Sequence, residues 1–176
     1  QDNRAFGNFG APRDVNSIYG SASLTFLNAI TLDITARNDW SYTLPKEKWS
    51  FFYPSFGLIA VVSDLGDLPS FWSFAKVRAN WAQVGTDSDP FRTLRNASVT
   101  AGGNNGFLQI STTIPNEDLL PEETVSIDLG ADLRFFNNRL GIDVAYYKTN
   151  SRDQLFAVAL PVGSGASQFF TNGGDI

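Results

Sequence analysis

Residues 124–147 alternate between apolar and polar side chains over most of their length, and this period of two constrains the fold more than any other feature of the chain. Successive side chains of a β-strand point to opposite faces of a sheet, so the alternation predicts strands with one apolar and one polar face. Residues 124–135 follow the pattern without a break, and it resumes after Asn137-Asn138. Because asparagine tolerates the left-handed backbone angles of tight turns, we expect a long antiparallel hairpin.

The polar face of this hairpin carries several charged side chains. Asp128, Asp132 and Arg134 fall on it in the first strand, and Asp143 in the second. A membrane-spanning strand needs roughly 9–11 residues, whereas strands of soluble sandwiches usually have about five or six. The length of 124–135 therefore favours a transmembrane barrel with these charges facing its lumen, although a curved soluble barrel fits the same pattern.

Further strands are predicted at 17–26, 30–39, 51–62 and 75–82, which makes about six spanning strands in all. On 75–82, Lys76 and Arg78 fall on the polar side, as on the wall of a lumen or on a solvated soluble face. The connections alternate between short and long, up to an aperiodic stretch at 85–122. Outer-membrane barrels have short periplasmic turns and long outer loops, so this alternation favours a barrel over a sandwich.

Composition excludes several classes of function. The chain has no Cys, His or Met, which removes disulfides, thiolate or imidazole ligation of metals and every catalytic triad that needs Cys or His. Aromatic residues make up 14% of the chain, a level typical of strands with aromatic girdles at a bilayer boundary. The net charge of −5 argues against a nucleic-acid partner. No run of 18 apolar residues predicts a membrane helix.

Three aromatic residues in predicted loops are candidate contacts for a substrate: Trp40, Tyr42 and Phe91. Trp40 and Trp49 also bracket a loop, where the interfacial anchors of a membrane protein lie, although they fit the edge of a soluble core equally well. Pro54 cannot donate to a strand ladder, so we expect it at a bulge or at the start of its strand.

Acidic residues provide the remaining candidates. Asp87 and Asp89 have the spacing of hard-cation ligands but lack the glycine and distal glutamate of a calcium loop, so we interpret them as loop solubility and leave cation binding open. Asp128, Asp132 and Asp143 would make a catalytic carboxylate pair only if one were desolvated, and their shared polar face is predicted to be solvated. The sequence thus predicts no catalytic residue, no metal site and no cofactor.

Several blocks of the sequence, in one order, resemble the SusC-type (SusC/RagA-like) TonB-dependent transporters of bacterial outer membranes. These blocks are ARNDWS at 36–41, TLP at 43–45, FYPS at 52–55, KVRANWAQVG at 76–85, TDSDPF at 86–91, LPEET at 120–124, DLRFFNNRL at 132–140 and the tail from LP at 160–161 through GGDI at 173–176.

The resemblance implies a plugged barrel of about 22 strands that imports oligosaccharides or peptides across the outer membrane. It also implies two protein partners, a SusD-like surface lipoprotein and the TonB complex. We expect residues 1–176 to form part of one barrel domain in the lipid bilayer, with the plug outside this segment. Two alternatives stay open: a self-contained barrel of about eight strands, adhesin-like or porin-like, and a soluble carbohydrate-binding β domain that uses Trp40, Tyr42 and Phe91 as sugar platforms.

Overall fold

Antiparallel strands make up most of the chain. The computed structural model describes residues 13–89, 92–93, 97–102 and 106–176. No helix in this part of the chain is long and apolar enough to cross a membrane. The strands are β1 (Val15–Phe26), β2 (Ile30–Ser41), β3 (Ser50–Val61), β4 (Trp72–Thr86), β5 (Ala97–Thr100), β6 (Phe107–Ile110), β7 (Thr113–Ile114), β8 (Glu122–Phe135), β9 (Leu140–Arg152), β10 (Leu155–Ala159) and β11 (Gln168–Asn172).

Six of the strands form one antiparallel sheet in the order β1-β2-β3-β4-β8-β9. These are the six spanning strands that the sequence predicts, each slightly shifted or longer at its ends. They contain between 12 and 15 residues, enough to cross the apolar part of a bilayer at the usual tilt. Strands β1 and β9 are the two edges of the sheet.

The register of the sheet aligns the apolar residues of each strand with those of its neighbours, across all six strands. Residues directly opposite each other on antiparallel strands lie on the same face. One face, called the apolar face below, holds the even-numbered residues of β1, β2, β3 and β9 and the odd-numbered residues of β4 and β8; the other is the polar face. An apolar row crosses Leu32, Leu58, Ala79, Leu129 and Tyr146, and the polar row beside it crosses Asp33, Gly57, Asn80, Asp128 and Tyr147.

Three connections lie at one end of the sheet, called the turn end. Leu27 and Asn28 join β1 to β2 with successive positive φ angles of 51° and 54°, as in the hairpin turns that match strand twist. Residues 136–139 join β8 to β9, and Phe136, Asn137 and Asn138 have φ angles of 52°, 54° and 64°, which confirms the predicted hairpin. The third connection, 62–71, begins with a short 3₁₀ turn, Val62–Asp64.

The other end, called the loop end, carries residues 42–49, 87–121 and 153–176. The predicted alternation of short and long connections is wrong at one place, because 42–49 is shorter than 62–71. This loop is closed compactly by the 3₁₀ turn Lys46–Lys48, and the Trp49 indole Nε1 donates to the Leu44 carbonyl at 2.7 Å. The loop end nevertheless carries the longest connection between two strands of the six-stranded sheet, residues 87–121.

The described part of the long loop contains more strand than its sequence predicts. Residues 85–122 contain the β5–β6 hairpin and β7, and residues 153–176 contain β10 and β11, which form a small sheet with β7. Alternation cannot be recognised in strands of two to five residues, which explains the wrong prediction. Leu119 is fully buried in this layer, and the Asn172 side-chain amide bonds both the N–H and the carbonyl of Leu120, at 2.8 and 2.9 Å.

Pro54 occupies neither of the positions expected from the sequence. It lies inside β3 opposite Ala36 of β2, while the pairing of β3 with β4 covers only Ser55–Val61. Because proline has no N–H to donate, the ladder between β3 and β4 stops beside it without a bulge in β3.

Candidate functional site

The polar face collects all six charged residues that the sequence assigns to a lumen. They are Lys76 and Arg78 on β4, Asp128, Asp132 and Arg134 on β8, and Asp143 on β9. Lys76, Asp132 and Asp143 form one row across the three strands.

Each of the two acids of that row is paired with an arginine. Like charges directly opposite each other destabilise a sheet, and Asp132 faces Asp143. A guanidinium nitrogen of Arg78 lies 3.1 Å from Asp143, and one of Arg134 lies 3.4 Å from Asp132. Each acid thus has its own cation, in a setting open enough that each pair contributes only about 0–1 kcal/mol.

Gly130 makes the contact between Arg78 and Asp143 geometrically feasible. It lies on β8 between these residues, and a Cβ at this position would collide with the Arg78 side chain. The missing side chain lets the guanidinium cross β8 and reach β9. The sequence places Gly130 on the polar face but gives no sign of this role, because the contact depends on the register of three strands.

A buried carboxylate ties three segments together at the loop end. Asp87, whose side chain is 6% exposed, accepts hydrogen bonds from Ser41 Oγ at 2.7 Å, Thr43 Oγ1 at 3.1 Å and Arg13 Nε at 3.2 Å. Ser41 is fully buried, and Ser88 Oγ donates to the Thr43 carbonyl at 3.2 Å. The interpretation of Asp87 as loop solubility is therefore wrong.

These contacts leave Asp87 and Asp89 bonded to cationic side chains. The Asp89 carboxylate pairs with Arg92, as that of Asp87 does with Arg13. Within residues 13–89, 92–93, 97–102 and 106–176, no group of three or more acidic side chains is placed to hold a metal ion.

A cavity of about 510 Å³, whose lining includes Arg37, Asp39 and Tyr53, lies near this cluster. Arg37 Nε donates to Asp39 at 2.7 Å, and a second Arg37 nitrogen donates to Ser17 Oγ at 3.0 Å. The Tyr53 ring packs against Gly85, and its buried hydroxyl has no hydrogen-bond partner among the described residues. The cavity is thus lined by a cation and an acid that bond to each other, and by the ring of Tyr53 with its buried hydroxyl.

The three aromatic candidates lie in different places. Tyr42 packs edge-on against Trp49, with ring centroids 4.5 Å apart, in a loop-end cleft of about 310 Å³ that also includes Lys46. Trp40 lies in the outermost apolar row, opposite Ser50, on the face away from the charges. Phe91 lies outside the described residues.

A six-stranded antiparallel sheet with one continuous apolar face and one charged face is the wall of an outer-membrane type of β-barrel. Residues 2–176 match the family described as TonB dependent receptor-like, beta-barrel, and the chain belongs to that family. The resemblance seen in the sequence is thereby confirmed.

Relatives and solved structures agree on this fold. The chain is 29% identical to TonB-dependent receptor P3 and 27% identical to TonB-dependent receptor P26, both of Formosa agariphila, over 91% and 92% of its residues. It spans only 17% of the length of each of these curated relatives. It superposes on the structure of the RagAB peptide transporter with a TM-score of 0.78, 22% identity and coverage of 93% of this chain and 18% of that one. The siderophore receptor PirA from Pseudomonas aeruginosa gives a TM-score of 0.60 at 14% identity, covering 93% and 29% of the two chains.

Proposed function

We propose that this chain forms six strands in the wall of a barrel of about 22 strands that imports oligosaccharides or peptides across the bacterial outer membrane. Import is driven by the TonB complex, through parts of the transporter outside this segment, and a SusD-like surface lipoprotein covers the loop end. The chain contributes wall and loops and makes no covalent bond. Membership of the TonB-dependent receptor-like family supports transport as the activity.

The two-faced sheet is the observation that carries this proposal. Lipid offers no hydrogen-bond partner to the backbone, so a membrane sheet must pair all its strands and turn apolar side chains outward. The register does this over six consecutive strands, with Leu129 and Val144 on one face and Asp128 and Asp143 on the other. The polar face is then the lumen wall, along which a hydrophilic substrate passes.

The two edges of the sheet fit a larger barrel. An exposed edge strand within a bilayer would leave a row of backbone groups without partners, so we expect β1 and β9 each to pair with a further strand. Ser151 of β9 and Ile176 already exchange two backbone hydrogen bonds, of 2.7 and 3.0 Å. This reciprocal pattern is that of an antiparallel pair.

The loop end faces the cell exterior in this proposal, since long loops of such barrels point outward. Tyr42 in its cleft is then placed to meet substrate, whereas Trp40 on the apolar face serves as an interfacial anchor. A protease site inserted after Gly102, between β5 and β6, should be cut on intact cells. Cleavage only after permeabilisation of the outer membrane would reverse this orientation.

Uptake by cells that depend on the full-length protein tests the transport function. Cells carrying or lacking the gene are offered labelled peptide and labelled oligosaccharide mixtures, with and without a functional TonB complex. We expect the gene and TonB together to be required for uptake of one of the two mixtures. Equal uptake of both in all strains would contradict import, and uptake that needs the gene but not TonB would favour the porin-like alternative.

A further inference from the structure

Charged residues occur at only one place on the apolar face of the sheet. Along all six strands, this face carries three of them, Glu123 on β8 and Lys148 and Arg152 on β9. All three lie at the loop end, where Glu123 is directly opposite Arg152 and Ile127 is directly opposite Lys148. A wall that otherwise presents apolar or uncharged side chains on this face thus has one local cationic patch.

The patch borders a cavity of about 250 Å³ lined by Val125, Ile127, Lys148, Asn150 and Arg152. Its apolar side comes from β8, and its polar side comes from β9. Among the described residues, neither Lys148 nor Arg152 is in an ion pair, although the Glu123 carboxylate is the nearest acid by register. The three side chains together leave one net positive charge on this face.

The height of the patch coincides with the outer boundary of the bilayer. Strands rise about 3.3 Å per residue and tilt by 35–45° in such barrels, around an apolar band about 25 Å tall. With the inner edge of that band placed at Leu140, at the turn end, Lys148 lies at a height of about 20 Å and Arg152 at about 30 Å, so the two cations lie on either side of its outer edge.

We propose that this patch binds the phosphorylated headgroup of an outer-leaflet glycolipid. Lys148 and Arg152 donate charge-assisted hydrogen bonds to a phosphate, Asn150 bonds the sugar, and acyl chains lie on Val125 and Ile127. From the middle of the membrane towards the loop end, this surface is first apolar and then cationic. A phosphorylated glycolipid has the matching order of groups, from its acyl chains to its phosphates. The assignment rests on the proposed outward orientation of the loop end.

Direct lipid binding tests the assignment. The full-length protein is purified in detergent, freed of lipid and titrated with bisphosphorylated lipid A, with dephosphorylated lipid A and with inorganic phosphate, and bound lipid is counted by native mass spectrometry. At about 1 kcal/mol per cation, the variant Lys148→Gln/Arg152→Gln should bind bisphosphorylated lipid A about 30-fold more weakly than the original protein. Dephosphorylated lipid A should bind both proteins equally and weakly.

The matched control removes the same two charges from the polar face, as Lys76→Gln/Arg78→Gln, and should keep full lipid binding. Equal losses in both variants, equal binding of the two lipids, or displacement of the lipid by equimolar phosphate would each overturn the proposal. Heat-modifiable migration on a gel shows that each variant is folded, and single substitutions replace any double variant that is not. Uptake is measured separately and should survive Lys148→Gln/Arg152→Gln, so failure of the lipid site is distinguishable from failure of the transport proposal.

Discussion

The six-stranded sheet and the loop end are built by different means. In the sheet, apolar and polar side chains alternate along each strand. The register aligns these strands so that one face of the sheet is apolar and the other is polar. At the loop end, single side chains join segments that are distant in sequence, as when Asp87 binds Ser41 and Thr43. A substitution in the sheet should therefore act according to its face, whereas one at the loop end should act according to the particular contact it removes.

The largest expected difference lies between the two faces at neighbouring residues. Leu129 is on the apolar face and Asp128 on the polar face, at the middle of β8. Arginine at a mid-bilayer position facing lipid costs roughly 2–4 kcal/mol. Leu129→Arg should therefore strongly reduce the assembled protein in outer membranes, measured by heat-modifiable migration. Asp128→Asn is the matched control and should assemble normally; equal tolerance of both would argue against the orientation of the sheet.

At the loop end, Asp87→Ala should loosen the segment that follows β4. It leaves the buried Ser41 and Thr43 hydroxyls, which are 2.9 Å apart, with only each other as side-chain partners, at a cost of about 1–3 kcal/mol. Hydrogen exchange should rise in residues 42–49 and 87–89, while exchange in β8 and β9 stays unchanged. Asp89→Ala, where the side chain is 70% exposed, should have little effect on exchange. If both variants gave the same exchange pattern, Asp87 would have no anchoring role.

The smallest expected effect concerns the contact of Arg78 with Asp143 over Gly130. Gly130→Ala places a methyl group where the Arg78 side chain crosses and should weaken that pair. Asp143→Asn removes the same pair directly. Because both residues of the pair are partly exposed, the two substitutions should each cost at most about 1 kcal/mol and should be less than additive in a double-mutant cycle. Full additivity would mean that Gly130 does not serve this contact.

These differences also explain which parts of the structure could be predicted from the sequence. All six spanning strands, the turn at Asn137-Asn138 and the grouping of Lys76 with Asp132 follow from alternation, since this pattern is local and repeated. Strands β10 and β11 are too short to show it, and they form because they pair with each other and with β7. The roles of Asp87 and Gly130 depend on residues from other strands or loops. These roles cannot be predicted from the spacing of residues in the sequence.

Reaction of single cysteines along β8 tests the central claim most directly. The segment has no cysteine of its own, so each residue from 125 to 133 can be replaced in turn without background from this chain. In the full-length protein in outer membranes, cysteines at positions 126, 128, 130 and 132 should react with a water-soluble maleimide. Cysteines at 125, 127, 129, 131 and 133 should instead be protected from it, and a fluorophore attached to them after denaturation and refolding into vesicles should be quenched by spin-labelled lipid. A period of two with this phase is the predicted result, and uniform reactivity or the opposite phase would contradict the account of β8 as part of a membrane-spanning wall.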